Sequence, residues 1–443
     1  MPHVLAARAQ MGVSLAFHIV FACVGVAMPL LMVIAEWRHL RTGDEVYYTL
    51  ARRWAVGTAI MFAVGAVSGT ALSFELGLLW PRFMKWAGGI VGMPFSLEGF
   101  AFFTEAIFLG IYMYGWHRVS PRGHLAAGIV VALSGMASAI FVVIANSWMN
   151  TPVGFKLADG QPTDIHPLAA LTNPAAFHET IHMTIAAYAA TGFAVAGIHA
   201  FMLLRDRDNP FHRKALAIAL SVGALAALAQ PLTGDLAARE VARLQPVKLA
   251  AFEGLFETER EAPLAIGGIP NAKTHKLQYA IELPEMLSLM TYHDPHALMR
   301  GLNSFPPSDW PPLLIVHLAF QVMVAAGCAM AALALWAGWL LWRRRTIYSS
   351  DFFLRTVVAA APLGIIAVEA GWTVTEVGRQ PWVIYGVMRT ADAVTPMPGL
   401  AVTFLFFTVL YIFLAAAVAH LLWRQVMQSP GLAEATALAA AGR

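Results

Sequence analysis

Apolar residues in this chain neither alternate nor mark one helix face; they fill long unbroken runs. Runs of about 20 residues, the length that crosses a bilayer's hydrocarbon core, begin near Met11, Trp54, Phe95, His124, His178, Ala215, Leu313, Phe352 and Leu400. Each predicts a membrane-spanning helix, because a helix satisfies its own backbone groups in lipid. The count is nine spans, the eighth interrupted by Pro362. The first run carries His18 and lacks a small-residue cleavage site, so it reads as a retained span. The expected fold class is an all-α polytopic membrane protein with one long external loop. Residues 1–234 hold spans one to six, 235–312 the loop, 313–425 spans seven to nine, and 426–443 a cytoplasmic tail. The loop combines a charged stretch (Glu253 to Glu261), turns from Gly267 to Pro270 and the prolines 306, 307, 311 and 312. That mixture predicts a small, partly helical surface domain. The Ala-rich tail from Leu432 to Arg443 is expected to fray, and no internal repeat is evident.

Composition agrees: 58% of residues are hydrophobic and only 12% charged, against about 25% charged in soluble domains. Basic residues then set an orientation. Arg38, Arg41, Arg52 and Arg53 lie between spans one and two, and Arg118 and Arg122 between three and four. Arg205, Arg207, Arg213 and Lys214 separate five and six, and Arg343, Arg344 and Arg345 separate seven and eight. The alternate short loops hold fewer, so the positive-inside rule places the N-terminus outside and the C-terminus in the cytoplasm. The formal charge of +3 reflects these loop anchors and gives no reason to expect nucleic acid. Cys23 and Cys328 both lie inside apolar runs, where small buried packing residues are expected, and they offer neither a disulfide framework nor a thiolate metal site.

Several polar residues interrupt the apolar runs. An acid near a span centre costs on the order of 2.5–3.5 kcal/mol on insertion scales, so it usually has a task. Glu376 sits at the margin of the eighth span, in a block running from Gly371-Trp372 through Arg379-Gln380-Pro381-Trp382. Alone, it reads equally as an interfacial partner of Arg379. Glu98 and Glu105 lie about two helical turns apart on one face of the third span, as a proton relay, charge compensation for a cationic cofactor, or a structural pair bonded to hydroxyls. His18, on the outer part of the first span, is a helix–helix hydrogen bonder or a metal ligand. His178-Glu179-Thr180-Ile181-His182 spells a zinc-protease signature, which also needs a third ligand and an open position. Met323 would ordinarily be packing, and Lys248 with Glu253 a solvated ion-pair face.

Taken in order, these motifs resemble subunit I of cytochrome bd quinol oxidases, whose signature is the Gly378-Arg379-Gln380-Pro381-Trp382 block. The resemblance runs from about Leu15 to Tyr411. It implies that His182 and Met323 are axial ligands of a low-spin haem b, with His178 a neighbour. It implies that His18 and Glu376 ligate two high-spin haems, that Trp372 belongs to the same haem-binding block, and that Arg379 meets haem propionates. Glu98 and Glu105 would deliver protons to the oxygen site, and Lys248 and Glu253 would bind ubiquinol or menaquinol. Asn146 to Pro152 would shape a haem pocket from outside. Gln321 stands where the best-known branch has arginine, and the loop is short, which resembles the cyanide-insensitive branch. The high-spin pair is then haem b plus haem d, or further haem b. A terminal quinol:oxygen oxidoreductase follows, electrogenic and multi-pass in the bacterial inner membrane. Its expected partners are a subunit II, a small single-span accessory subunit, the lipid bilayer, quinol and oxygen, with no nucleic acid. Two other readings stay open on the residues alone: an intramembrane zinc metalloprotease using His178 and His182, and a non-catalytic haem b anchor.

Overall fold

The computed structural model describes residues 3–441 and, among them, nine helices long and apolar enough to span a membrane. These are His3–Thr42, Glu45–Leu79, Pro81–Tyr114, Pro121–Asn150, Ala176–Arg205, Pro210–Leu244, Leu313–Arg343, Asp351–Gly378 and Leu400–Met427. Their starts are written locally. Proline opens the third, fourth and sixth, where its missing N–H costs no helical hydrogen bond. Asp44, Ser120, Asn209 and Ser350 cap the second, fourth, sixth and eighth by accepting from backbone N–H groups of the first turn. The eighth span is two helices, Asp351–Ala360 and Leu363–Gly378, broken at Ala361-Pro362 as the proline requires.

The fifth span is the axis of the bundle. Its apolar window is 61% buried, against 11% for the ninth span and 17% for the third. Small residues let its neighbours close in. A Cβ on Gly192 would lie 2.5 Å from the Cα of Gly223 in the sixth span, and one on Gly364 of the eighth would lie 2.3 Å from the Cα of Ala190. No side chain fits at either crossing, which is how helices associate where lipid removes the hydrophobic drive.

The sixth span does not stop at residue 234; it runs on to Leu244 before the chain turns into the short helix Pro246–Glu253. Beyond it, a two-part antiparallel hairpin pairs 264–266 with 281–283 and 269–271 with 276–278. A further short pair joins 259–260 to 298–299. The segment has its own apolar core of Leu249, Phe252, Phe256, Leu287, Met299 and Leu302, continuous with Leu313 and Val316 of the seventh span. Two side chains of that span pin it down. His317 places Nδ1 2.8 Å from the Phe252 carbonyl and Nε2 3.0 Å from the Gly267 carbonyl, and its ring N–H donates to one of them. Gln321 accepts from the Gly267 N–H at 2.9 Å and donates to the Ala265 carbonyl at 3.1 Å.

Two expectations need correcting. The tail forms a helix, Leu432–Ala441, because Ala435 is small enough to bury fully and Leu438 and Ala439 pack on the main core; residues 442 and 443 lie outside the described ones. Cys23 is buried, but Cys328 is exposed on the bundle's surface, since the outward face of a span is as apolar as its inward one.

The Gly192–Gly223 crossing predicts that Gly192→Val separates the fifth and sixth spans. Overpacking of this kind costs about 1–3 kcal/mol; thermal unfolding of the purified protein in detergent should show the loss, and Gly77→Val, which faces open space, should not.

Candidate functional site

Alternate spans run in opposite directions, so the starts of spans one, five and seven share one end of the bundle with the ends of spans four, six and eight and with the 245–312 segment. His18, His182, Met323 and Glu376 all lie towards that end. Three of them face a glycine. A Cβ on Gly69 would sit 3.0 Å from Cε1 of His18, one on Gly234 3.5 Å from Cε1 of His182, and one on Gly371 3.0 Å from Sδ of Met323. In each case the bare backbone makes room for the facing side chain itself.

The two imidazoles are prepared in the same way. Nδ1 of His18 lies 2.9 Å from Oγ of Ser68, whose single proton goes to the carbonyl of Val64 or Gly65. The hydroxyl must therefore accept from Nδ1–H. Nδ1 of His182 lies 3.1 Å from Oγ1 of Thr233, which likewise donates to the Gln230 carbonyl. Nδ1–H on the hydroxyl leaves Nε2 as the basic nitrogen of each ring; on His182 the Gln230 amide nitrogen, which is also 3.3 Å from Nδ1, occupies it. The Gln230 amide lies against the second ring, 3.2 Å from Nε2.

Glu376 is held from two sides. Asn146 Nδ2 donates to one carboxylate oxygen and Arg379 Nη2 to the other. Arg379 is buried, and its Nη1 donates to Asn150 Oδ1 at 3.2 Å. Asn150, the last residue of the fourth span, is a hub. Its Oδ1 also receives Lys248 Nζ at 3.0 Å, while its Nδ2 donates to Glu179 at 2.9 Å. The turn expected from Asn146 to Pro152 is therefore helical as far as Asn150, and it joins the HExxH helix to the GRQPW block.

Burial shifts both ionisable groups of the short helix 246–253. It lowers the Lys248 ammonium to about 7, helped by Arg379 and opposed by Glu179 and Glu376. It raises the Glu253 carboxyl to about 8, and Oε2 of Glu253 has no partner among the described residues. In the third span, Glu105 is buried in a slot between Gly25 of the first span and Gly135 of the fourth, whose Cβ would stand 3.1 Å from the carboxylate. Glu98 is half-buried, with Ser138 Oγ donating to it at 3.4 Å.

Several polar groups on the fifth and eighth spans are left without partners. Both ring nitrogens of buried His178, Nε1 of Trp372, Nε of Arg379 and Oε1 of Glu369 have none among the described residues. Glu369 lies about two turns before Glu376 on the same helix face. No group of three His, Cys, Asp or Glu side chains converges as a metal site among the described residues, so HExxH lacks a third zinc ligand. The ligand candidates gathered towards one end of the bundle and the partnerless polar atoms of His178, Trp372 and Arg379 fit a large, flat, polar-edged group such as haem.

Sequence reasoning missed Ser68, Thr233 and Gln230, the hub role of Asn150, and Glu369. It also missed two buried acids in other partnerships: Glu36 with His124 (2.8 Å) and Glu75 with Gln10 (3.1 Å).

The family model for cytochrome bd terminal oxidase subunit I matches residues 6–430. The chain belongs to that family. A Bacillus subtilis protein named for a cytochrome bd menaquinol oxidase subunit I is 38% identical, over 95% of this chain and 96% of its own length. A Bacillus subtilis cytochrome bd ubiquinol oxidase subunit 1 is 31% identical, over 96% and 94%. The solved bd oxidase of Geobacillus thermodenitrificans aligns with a TM-score of 0.91 at 39% identity, covering 97% of this chain and 99% of that one. This bd oxidase subunit I is therefore the haem-containing subunit of a membrane-bound quinol oxidase.

The Gln321 staple makes its own prediction. Gln321→Leu removes two hydrogen bonds worth about 0.5–1.5 kcal/mol each. Limited proteolysis between residues 259 and 285 should accelerate, while haem spectra stay unchanged.

Proposed function

We propose that His182 and Met323 hold a low-spin haem b, and that His18 and Glu376 each hold a high-spin haem. The high-spin pair is a haem b with a haem d, or with a further haem b. The observation that carries this reading is the shared preparation of the two imidazoles, each with Nδ1 on a hydroxyl of the adjoining span and a glycine beside its ring. Bound haem supplies electron storage and, where an iron position stays open, a place to reduce oxygen. The chain supplies orientation and protons. Asn146 and Arg379 fix the Glu376 carboxylate so that one charged oxygen can be offered.

Glu105 and Glu98 hand protons along the third span towards the oxygen site. The glycine slot lets the Glu105 carboxyl sit between the first and fourth spans. At the other substrate site, ubiquinol or menaquinol binds beside Glu253, which accepts a proton as the quinol is oxidised. A carboxyl shifted to about 8 is poised for such a transfer near neutrality. With the N-terminus and the 245–312 segment outside, quinol protons leave externally and water-forming protons enter from the cytoplasm. Turnover then separates charge without a pump. Subunit II completes a heterodimer, and a small single-span subunit is a further partner.

Dithionite-reduced spectra with and without carbon monoxide test the assignments. His182→Ala and Met323→Leu should each remove the low-spin signal and reduce quinol-driven oxygen uptake to background. Survival of that signal in both purified variants sinks the low-spin pair. Glu376→Ala should lose or alter a carbon monoxide-sensitive high-spin signal with the low-spin haem intact, and Glu376→Gln should give an intermediate spectrum with little turnover. A complete haem complement and normal oxygen uptake in Glu376→Ala would reduce Glu376 to an ion-pair partner of Arg379.

Glu253 gives a pH test. Below about 8 its carboxyl keeps its proton and cannot accept another, so quinol-driven turnover should rise as pH climbs through that value. Glu253→Gln should flatten this limb and lower turnover by about a hundredfold without changing the haem spectra; an unchanged profile removes Glu253 from the proton path.

A further inference from the structure

A buried acid at the other end of the bundle is arranged to hold a proton. Glu36, near the end of the first span, and His124, at the start of the fourth, are both buried. His124 Nδ1 lies 2.8 Å from Glu36 Oε1, and its Nε2 lies 2.9 Å from the Tyr112 carbonyl. A carbonyl only accepts, so Nε2 carries a hydrogen. The contact with Glu36 then needs a second proton, on Nδ1 or on the carboxyl. Whichever atom owns it, the pair holds one labile proton between a carboxyl and an imidazole.

This pair stands in line with the acids of the third span. Glu98, Glu105 and Tyr112 follow at seven-residue intervals on one helix face, each step rising about 10 Å. The Tyr112 ring packs on His124 with centroids 4.4 Å apart, and its hydroxyl is within interaction range of Glu36. Neither that hydroxyl nor Oε2 of Glu36 has a hydrogen-bond partner among the described residues. The fourth span is bare beside both side chains. A Cβ on Gly128 would lie 2.7 Å from the Tyr112 ring, and one on Gly135 lies 3.1 Å from the Glu105 carboxyl. In the first span Pro29 has no N–H to give the Gly25 carbonyl, which leaves an acceptor near Glu105. Trp116 covers His124 from the loop side at 4.1 Å between centroids, with Arg52 over its indole at 6.0 Å. Further out, His117 lies by the Tyr48 hydroxyl and His39 by the Asp44 carbonyl.

We propose that the Glu36–His124 pair is the proton-loading site of the third-span relay, passing its proton by the Tyr112 hydroxyl to Glu105. This rests on the reading that Glu105 and Glu98 feed the oxygen site. The pair lies beneath the exposed residues 117–123, at the end of the bundle opposite His18 and Glu376 and cytoplasmic in the proposed orientation. One proton leaves the pair and one arrives on the Glu105 carboxylate. Tyr112 gives its hydroxyl proton on one side as it takes another on the other, and a water on the Gly25 carbonyl carries it across the remaining gap. The emptied pair is a carboxylate facing an imidazole lone pair, two acceptors in contact, and that repulsion draws the next proton from solvent.

The test uses the purified oxidase complex, pre-reduced and mixed with oxygen. A pH dye follows proton uptake, and thermal unfolding is measured alongside. Glu36→Gln keeps the shape but removes the acid. It should slow uptake by about a hundredfold, with haem content and the rate of haem reduction by quinol at wild-type values. Glu36→Asp should recover part of the loss. Tyr112→Phe separates relay from packing, because deleting a buried hydroxyl that has no partner does not destabilise. It should slow uptake while thermal stability stays equal or rises. Wild-type uptake in either Glu36→Gln or Tyr112→Phe, with Glu105→Gln impaired, makes the pair a structural brace and overturns the loading site. If Glu36→Gln does not assemble, Tyr112→Phe decides by the same readouts. Wild-type uptake in Glu105→Gln instead overturns the reading of the third-span acids themselves.

Discussion

In a bilayer interior no water is available to rescue a polar group, so each polar side chain must find its partner within the protein. Nearly every feature of this subunit follows from that constraint. The nine spanning helices close their own backbone bonds, and the polar side chains they carry are gathered where two or three spans can satisfy them together. His18 with Ser68, His182 with Thr233, and Glu376 with Asn146 and Arg379 are each a contact between different helices or across a helix end. Tight glycine crossings make those contacts possible. If the fifth and sixth spans stood a side chain further apart at Gly192 and Gly223, Thr233 could not reach His182.

The spans were readable in the sequence because an apolar run of sufficient length has one solution in lipid. The ligand candidates were readable for the complementary reason: a histidine or glutamate inside such a run is conspicuous. What surrounds them was not readable. Ser68 and Thr233 are common residues in membrane helices, and each ordinarily bonds its own backbone, as both also do here. Their second role depends on which helix lies alongside, over a sequence separation of about fifty residues. Asn150 was seen as part of a turn, yet its importance comes from Lys248, Arg379 and Glu179 converging on it from three separate segments.

The departures share a cause. Cys328 sits in an apolar run like Cys23, but hydropathy cannot separate a span's inward face from its outward one when both are apolar. The Ala-rich tail looked uncommitted because alanine carries little hydrophobic signal; its small size is what lets Ala435 bury completely. Gln321 shows the same effect at a functional position. Read as a lost positive charge, it turns out to bond two backbone groups of the hairpin, fixing the extramembrane segment on the seventh span. The position where the resemblance expects a charge instead tethers the hairpin to the seventh span.

That tether bears on how the two halves of the reaction communicate. The short helix 246–253 carries buried groups on two faces: Lys248 reaches inward to Asn150, while Glu253 lies buried on another face with an oxygen that has no partner among the described residues. The His317 ring lies between the carbonyls of Gly267 and of Phe252, immediately before Glu253, and donates to one of them, while Gln321 bonds the Gly267 N–H. Displacement of the hairpin would therefore act on the same helix that positions Lys248 near Arg379. The path is short and made of direct hydrogen bonds, so the hairpin and the Lys248–Asn150–Arg379 cluster are linked through eight residues. Coupling of this kind needs no large domain movement. It needs a rigid short helix with a different task at each end, and the buried, bonded geometry of 246–253 supplies one.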